Sequence, residues 1–270
     1  MEKYLSISSV PDFIIGSIKT APGSFLIVGN RFTGKRELAD IIASDLKNAG
    51  IDVVYESITA YGELYRFQAV NDLLNQATHT HKDRDKMQII KEFEDFSLKS
   101  KRKIVFIVSD IDRVKEETRN LLLYVCRTAN SHDISFIGTF SLDKTEASYN
   151  KFIDFIASES YINIIKLDKP TDSDISYIVQ KLGYKLPDNF ITDLNRITNS
   201  NIENIKYALR YYQTIGVINQ NKEVNEVSFR YFPIPPTTEM YFESVISSLD
   251  KKQKSILYLL SVMGEKISLP

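Results

Sequence analysis

The chain has a single cysteine, Cys126, so no internal disulfide can form and a reducing compartment is the simplest assignment. Its three histidines, His79, His81 and His132, are too few and too far from that cysteine to suggest a zinc site. Lys and Arg total 34 against 35 Asp and Glu, a net charge of −1, which argues against a broad polyanion-binding face and leaves any nucleic-acid contact local. No apolar run approaches the length of a membrane span, and the opening stretch MEKYLSISSV lacks a signal-peptide core. The expectation is a cytoplasmic protein, nuclear in a eukaryote, with no membrane partner. What is present fits a soluble globular chain: 43% hydrophobic and 26% charged residues over 270, enough for one sizeable core or two modest ones.

The most informative stretch is Phe25 to Leu38, FLIVGNRFTGKREL. Phe25-Leu26-Ile27-Val28 is an apolar run suited to a strand buried on both faces, and it leads without a gap into Gly29, Asn30, Arg31, Phe32, Thr33, Gly34 and Lys35. The spacing GxxxxGK is that of a phosphate loop. Glycines at both ends let backbone N–H groups turn inward, Lys35 reaches the β/γ end, and the helix that follows, from Arg36 and Glu37, points its positive end at the anion. The alternative is an ordinary strand-to-helix connection that carries a lysine by chance. Arg36 stands where a Ser or Thr hydroxyl normally ligates the Mg²⁺ of the nucleotide, so the sequence supports phosphate binding and gives weak support to a metal.

Residues 1 to 23 read as a short helix, with Phe13, Ile14 and Ile18 on one side, lying over the phosphate-loop strand. Ile51 to Tyr55 makes a second strand, followed by a loop from Ser57 to Gly62 and a helical repeat through Leu64, Phe67, Val70 and Leu73. His79 to Lys86 reads as an exposed polar bend, and a further helix runs through Ile89, Phe93 and Phe96. Lys99 to Lys103 is a basic run whose default explanation is a solvated loop. Ile104 to Val108 is a third apolar strand, ending in Ser109-Asp110-Ile111-Asp112. A strand that delivers carboxylates at its carboxyl edge suits metal binding and activation of water, and Asp110 and Asp112 would project to one side if the backbone stayed extended. A helix from Lys115 to Ala129, a strand from Ile134 to Ile137 ending at Gly138-Thr139, a helix from Ala147 to Ala157 and a strand from Tyr161 to Ile165 complete the alternation. The expected fold class is α/β, a five-stranded parallel sheet covered on both faces, with its site at the strands' carboxyl edge.

From Leu167 the pattern is helical: Thr171 to Leu182, Pro187 to Ile197 and Asn201 to Tyr212. The expected organisation is a nucleotide-binding core over 1–166, a helical lid over 167–213, a linker over 214–238, and a further helical segment over 239–270 with an apolar stripe of Ile256, Leu257, Leu260 and Met263.

This order of parts resembles the AAA+ family of P-loop ATPases, closest to its initiator and clamp-loader branch, which includes origin recognition complex subunits and archaeal replication initiators. The resemblance rests on IVFIVSDIDRV, TRNLLLYVCR, ISFIGTFSLDK, INIIKLDKPTDSDISYIV and ENIKYALRYY, and it extends to the start of a winged helix in SSLDKKQKSILYLLSVMG. It implies ATP or ADP as ligand, other subunits of the same family as partners, and DNA contacts through the C-terminal region. The paired acids align with Ser109 as the metal position and Asp110 as the catalytic acid, while a shift of one residue makes Asp110 the metal ligand. Thr139 aligns with the polar sensor at the tip of the fourth strand and Lys206 with the lid sensor arginine. The trans-acting arginine would fall near Ser158-Glu159-Ser160, where none occurs.

Arg36 and Ser109 each replace a Mg²⁺ ligand, and a guanidinium beside the β-phosphate would neutralise charge where a metal otherwise does. The leading expectation is a nucleotide-binding subunit of a DNA-associated assembly with weak or absent hydrolysis. The alternatives are a regulatory P-loop switch of the STAND type, with which Tyr61-Gly62-Glu63-Leu64 is compatible, and a chain that keeps the fold for assembly without nucleotide.

Overall fold

The computed structural model describes all residues except 1, 59–61, 64, 101, 131, 143–151, 153–155, 157, 158, 160, 225–242, 244 and 264–270. The chain divides into two compact units, Met1–Gly183 and Tyr184–Pro270.

The first unit is a parallel sheet with helices on both faces. Its strands are β1 (Glu2–Tyr4), β2 (Ser24–Gly29), β3 (Asp52–Ser57), β4 (Ile104–Ser109), β5 (Ile134–Ser141) and β6 (Ile162–Leu167). Their order across the sheet is β1-β6-β2-β5-β4-β3, and every neighbour pair is parallel. Six strands stand where five were expected. The sixth is β1, a three-residue edge strand paired with β6, too short for alternation to announce it in a segment read as helix. The helix in that segment is shorter, α1 (Val10–Thr20), with Ile14 and Ile18 buried and Phe13 edge-on to Phe25 at 6.2 Å.

The remaining helices of this unit are α2 (Lys35–Asn48), α3 (Gln68–Thr78), α4 (Lys86–Lys99), α5 (Glu116–Asn130) and α6 (Asp172–Lys181). β2, β4 and β5 are buried along their whole length, because apolar side chains alternate between two covered faces. Leu26, Val28, Phe106, Val108 and Phe136 point into a core with Val70, Leu73 and Leu74 of α3, Phe93 of α4 and Leu121, Leu122 and Val125 of α5. Phe25, Ile27, Val105, Ile107 and Ile137 are buried too, outside that cluster, and α2 packs on β2, β3, β4 and β5 with α1 and α6 beside it. α6 opens with a capping box between Thr171 and Asp174, and its Lys181 reaches Asp45 of α2 at 2.8 Å.

β2 lies between β5 and β6, and the chain leaves it toward β3 at the far side of the sheet. The loop after β2 therefore opens at the point where strand order reverses, the crevice in which such sheets bind ligands. The expected helix from Ala147 to Ala157 lies mostly outside the described residues.

In the second unit α7 (Asp188–Thr198) and α8 (Ile202–Thr214) pack through Ile191, Leu194, Ile205 and Leu209, with Phe190 edge-on to Tyr212 at 5.4 Å. α9 (Lys251–Met263) exposes Ile256, Leu257, Tyr258 and Leu259. Among the described residues no helix is long and apolar enough to cross a membrane.

Candidate nucleotide-binding site

The two glycines of the loop are needed for different reasons. A Cβ on Gly29 would lie 3.0 Å from Thr33 Oγ1 and 3.1 Å from the Leu167 carbonyl oxygen, so only a glycine lets β2 end this close to β6. Gly34 has φ of 88°, the left-handed conformation that starts α2, and its carbonyl accepts from the Leu38 N–H at 2.9 Å. Between them Asn30 and Arg31 are exposed, Phe32 is exposed with φ of 63°, and Thr33 is buried, its hydroxyl donating to the Asn30 carbonyl at 2.9 Å.

Lys35 is the first residue of α2 and is only 5% exposed. Its Nζ donates to the carbonyls of Gly29 at 3.0 Å and Asn30 at 2.5 Å, and it meets Thr33 Oγ1 at 3.4 Å. The ammonium thus braces the inside of the loop at the N-terminus of a fourteen-residue helix, where an anion is favoured by both the lysine charge and the helix dipole. A polyphosphate fits this arrangement. Glu37 is half-buried in the first turn of the helix.

The next residue turns the other way. Arg36 Nη2 donates to Asp110 Oδ2 at 2.5 Å and to the Ile58 carbonyl at 3.0 Å, joining the start of α2 to the ends of β3 and β4. The carboxylate that β4 delivers is thus the partner of this guanidinium in the protein alone. With side-chain exposures of 41% and 12%, the pair contributes about 1 kcal/mol or less to stability.

Asp110 does not continue the strand. It has φ of 61°, and a 3₁₀ turn over Ile111–Arg113 follows, so Asp110 and Asp112 do not alternate along an extended backbone as expected. Asp112 accepts instead from the Ser141 N–H at 3.1 Å and ties β4's end to β5's. The left-handed Asp110 is held by Thr139, whose fully buried hydroxyl oxygen accepts the Asp110 N–H at 2.8 Å. Thr139→Val keeps the shape and removes that acceptor. Leaving the N–H unpaired is expected to cost about 1–3 kcal/mol, read as a lower urea midpoint with an unchanged slope; an unmoved midpoint would show that Thr139 does not hold this turn.

A magnesium ion does not fit the residues present. The position after Lys35 has no hydroxyl, the Asp110 carboxylate is taken by a guanidinium, and the Ser109 hydroxyl donates to Ser57 Oγ at 3.0 Å across the register of β3 and β4. Among the described residues no cluster of three or more His, Cys, Asp or Glu could hold a metal ion.

Sequence reasoning missed Tyr55, Ser57 and the Ile58 carbonyl. Two serines ending neighbouring strands, Ser57 opposite Ser109, were a readable signal; a backbone carbonyl gives none. The Tyr55 hydroxyl is enclosed near Ser109 and Asp40 without a hydrogen bond of sound geometry, and burial, with the nearby Asp40 carboxylate, pushes it above the usual phenol range. The Glu63 carboxylate accepts from the N–H groups of Ala69 and Lys115 at 3.2 and 3.0 Å, joining the starts of α3 and α5. Tyr61 and Leu64 of the quoted motif lie outside the described residues, as do Ser158 and Ser160. Lys206 is half-buried on α8, in the second unit.

Among solved structures the fold is similar to the Aeropyrum pernix ORC1 protein in complex with DNA, at a TM-score of 0.57 and 11% identity over 96% of this chain and 71% of that one. It is likewise similar to the Aeropyrum pernix ORC2 protein in ADPNP–ADP complexes, at 0.53 and 12% over 92% and 69%. A STAND protein with a tetratricopeptide repeat sensor from Pyrococcus horikoshii aligns at 0.51 and 14% over 95% of this chain but only 35% of that one. At these identities the likeness is one of fold. No curated protein matches the sequence. Residues 16–167, more than half of the 270, match the KAP family P-loop domain, from α1 through the phosphate loop, Asp110 and Thr139 to the end of β6, and the chain belongs to that family.

Proposed function

We propose that this chain is a nucleotide-binding switch subunit that takes ATP or ADP in the β2–α2 loop, hydrolyses it slowly or not at all, and acts within a DNA-associated assembly of similar subunits. The observation that carries this reading is the Arg36–Asp110 ion pair, which joins the two elements that would otherwise share a metal. With no hydroxyl after Lys35 and with Ser109 where an acid would stand, two residues that would hold a metal at the phosphates are missing, while the Lys35 loop remains suited to phosphates. In this reading residues 1–166 are the core, 167–213 a lid that carries Lys206, 214–238 a linker, and 239–270 the start of a winged helix that carries the DNA contacts. The fold likeness to an ORC1 protein in complex with DNA supports the DNA-associated setting. The equally distant likeness to a STAND protein supports a regulatory switch without DNA. A salt-titrated DNA-binding assay decides between them: only the first predicts an affinity that falls steeply with salt.

The test of metal independence is calorimetric titration of ATP and ADP with Mg²⁺ and with EDTA. The two conditions are expected to agree within about threefold, and turnover to lie at least about a hundredfold below the ~10 s⁻¹ typical of enzymes. Arg36→Thr combined with Ser109→Asp restores the missing ligands and is expected to make binding drop about tenfold in EDTA. Loss of wild-type binding in EDTA would overturn the proposal.

A further inference from the structure

We infer that Arg36 reads the terminal phosphate of the nucleotide, exchanging its bond to Asp110 for one to the third phosphate, so that the pocket prefers a nucleoside triphosphate to a diphosphate without metal. The inference rests on the nucleotide-binding reading above and adds a ligand preference and a trigger to it.

The guanidinium is placed for such an exchange and is under-used where it stands. Among the described residues a single nitrogen, Nη2, makes both of its hydrogen bonds, to Asp110 and to the Ile58 carbonyl. Nε is buried with no hydrogen-bond partner. Buried donors without acceptors are uncommon, and one on a guanidinium next to a phosphate loop calls for an oxygen-rich partner. A guanidinium has five N–H donors in a planar fork matched to two oxygens of a phosphate, which the single Asp110 contact does not use. Arg36 directly follows Lys35, at the position from which a shorter hydroxyl side chain would reach a metal between the last two phosphates, so the longer arginine covers the same place. It is also 41% exposed, hence able to turn, and a half-exposed pair is weakly held.

The exchange would have a local consequence. Releasing Asp110 and the Ile58 carbonyl together removes the link between α2 and the ends of β3 and β4. The adjoining 3₁₀ turn, whose Arg113 carbonyl would lie 2.8 Å from a Cβ on Gly62, then connects the event to Glu63 and to the start of α5. A diphosphate, lacking the third group, would leave the pair closed.

The test titrates ATP and ADP in EDTA into wild type, Arg36→Gln and Asp110→Asn, with the thermal melt of each variant recorded first. Wild type is expected to bind ATP about tenfold more tightly than ADP. Arg36→Gln should bring ATP to the ADP value. Asp110→Asn keeps the shape but frees the guanidinium, and should raise the ATP-to-ADP ratio by severalfold. Arg36→Lys, charged but without the fork, should fall between. If Arg36→Gln does not fold, Asp110→Asn decides the matter alone. Equal affinities in wild type, or a ratio that Asp110→Asn leaves unchanged while ADP still binds, would overturn the inference and leave nucleotide binding standing. Absence of binding by both nucleotides would sink that reading and the inference together.

Discussion

Lys35→Ala is expected to abolish nucleotide binding at working concentrations. The ammonium holds the loop from inside through the Gly29 and Asn30 carbonyls and supplies the charge that a phosphate meets, so its loss removes both the shape and the attraction. A charge-assisted hydrogen bond contributes about 1.5–3 kcal/mol, or roughly tenfold to 150-fold in affinity. Loosening of the loop adds to that. At a ligand concentration about a hundred times Kd, wild type gains about 2.7 kcal/mol of stability, seen as a raised melting point. The variant should show no such rise with ATP or ADP. A rise equal to that of wild type would place the nucleotide somewhere other than this loop.

The sheet was legible because its central strands are nearly continuous apolar runs. Phe25 to Val28, Ile104 to Val108 and Ile134 to Ile137 each carry enough buried side chains to fix strand and layer at once. β5 proved longer than the run suggested, because Thr139 and Ser141 are polar residues buried by what they bond: Thr139 accepts from Asp110 and the Ser141 N–H donates to Asp112. β1 was invisible, since three residues beside β6 owe their conformation to a partner more than 150 positions away.

The phosphate loop was legible for the same reason that it works: its requirements are local. Glycines, lysine and strand-to-helix context lie within one short stretch. The Arg36–Asp110 pair is different, because it joins residues 74 positions apart and depends on a left-handed backbone at Asp110 that its residue type permits but does not demand. That metal ligands are missing at Arg36 and Ser109 can be read directly from residue types at fixed offsets. That Arg36 meets the Asp110 carboxylate cannot, since it depends on where β4 ends in space.

Arg84→Ala is expected to have the largest effect on stability, at a position the sequence read as part of an exposed bend. Its side chain is 2% exposed, and its guanidinium donates to Glu92 at 2.8 Å, to Asn71 Oδ1 at 3.1 Å, to Asn75 Oδ1 at 2.6 Å, to the Lys82 carbonyl at 3.2 Å and to Thr80 Oγ1 at 2.9 Å. The bend is exposed as its polar residues suggested, except at half-buried Thr80 and at Arg84, the buried cation that satisfies the turn between α3 and α4 from within. Truncation would leave Asn71, itself 1% exposed, without the donor to its side-chain oxygen, and would open a gap between the two helices. Losses of this kind cost on the order of 3 kcal/mol, a fall in melting temperature of about 6–12 °C for a unit of this size. Arg84→Lys keeps the charge without the fork and should recover less than half of the loss. The exposed pair Arg196–Asp193, with side-chain exposures of 73% and 43%, is the control, and Arg196→Ala should change stability by no more than about 0.5 kcal/mol. Well below the melting point the Arg84→Ala variant should still bind nucleotide as wild type does, because none of these contacts touches the β2–α2 loop. A melting point within about 2 °C of wild type would mean that the turn is held by something other than this arginine.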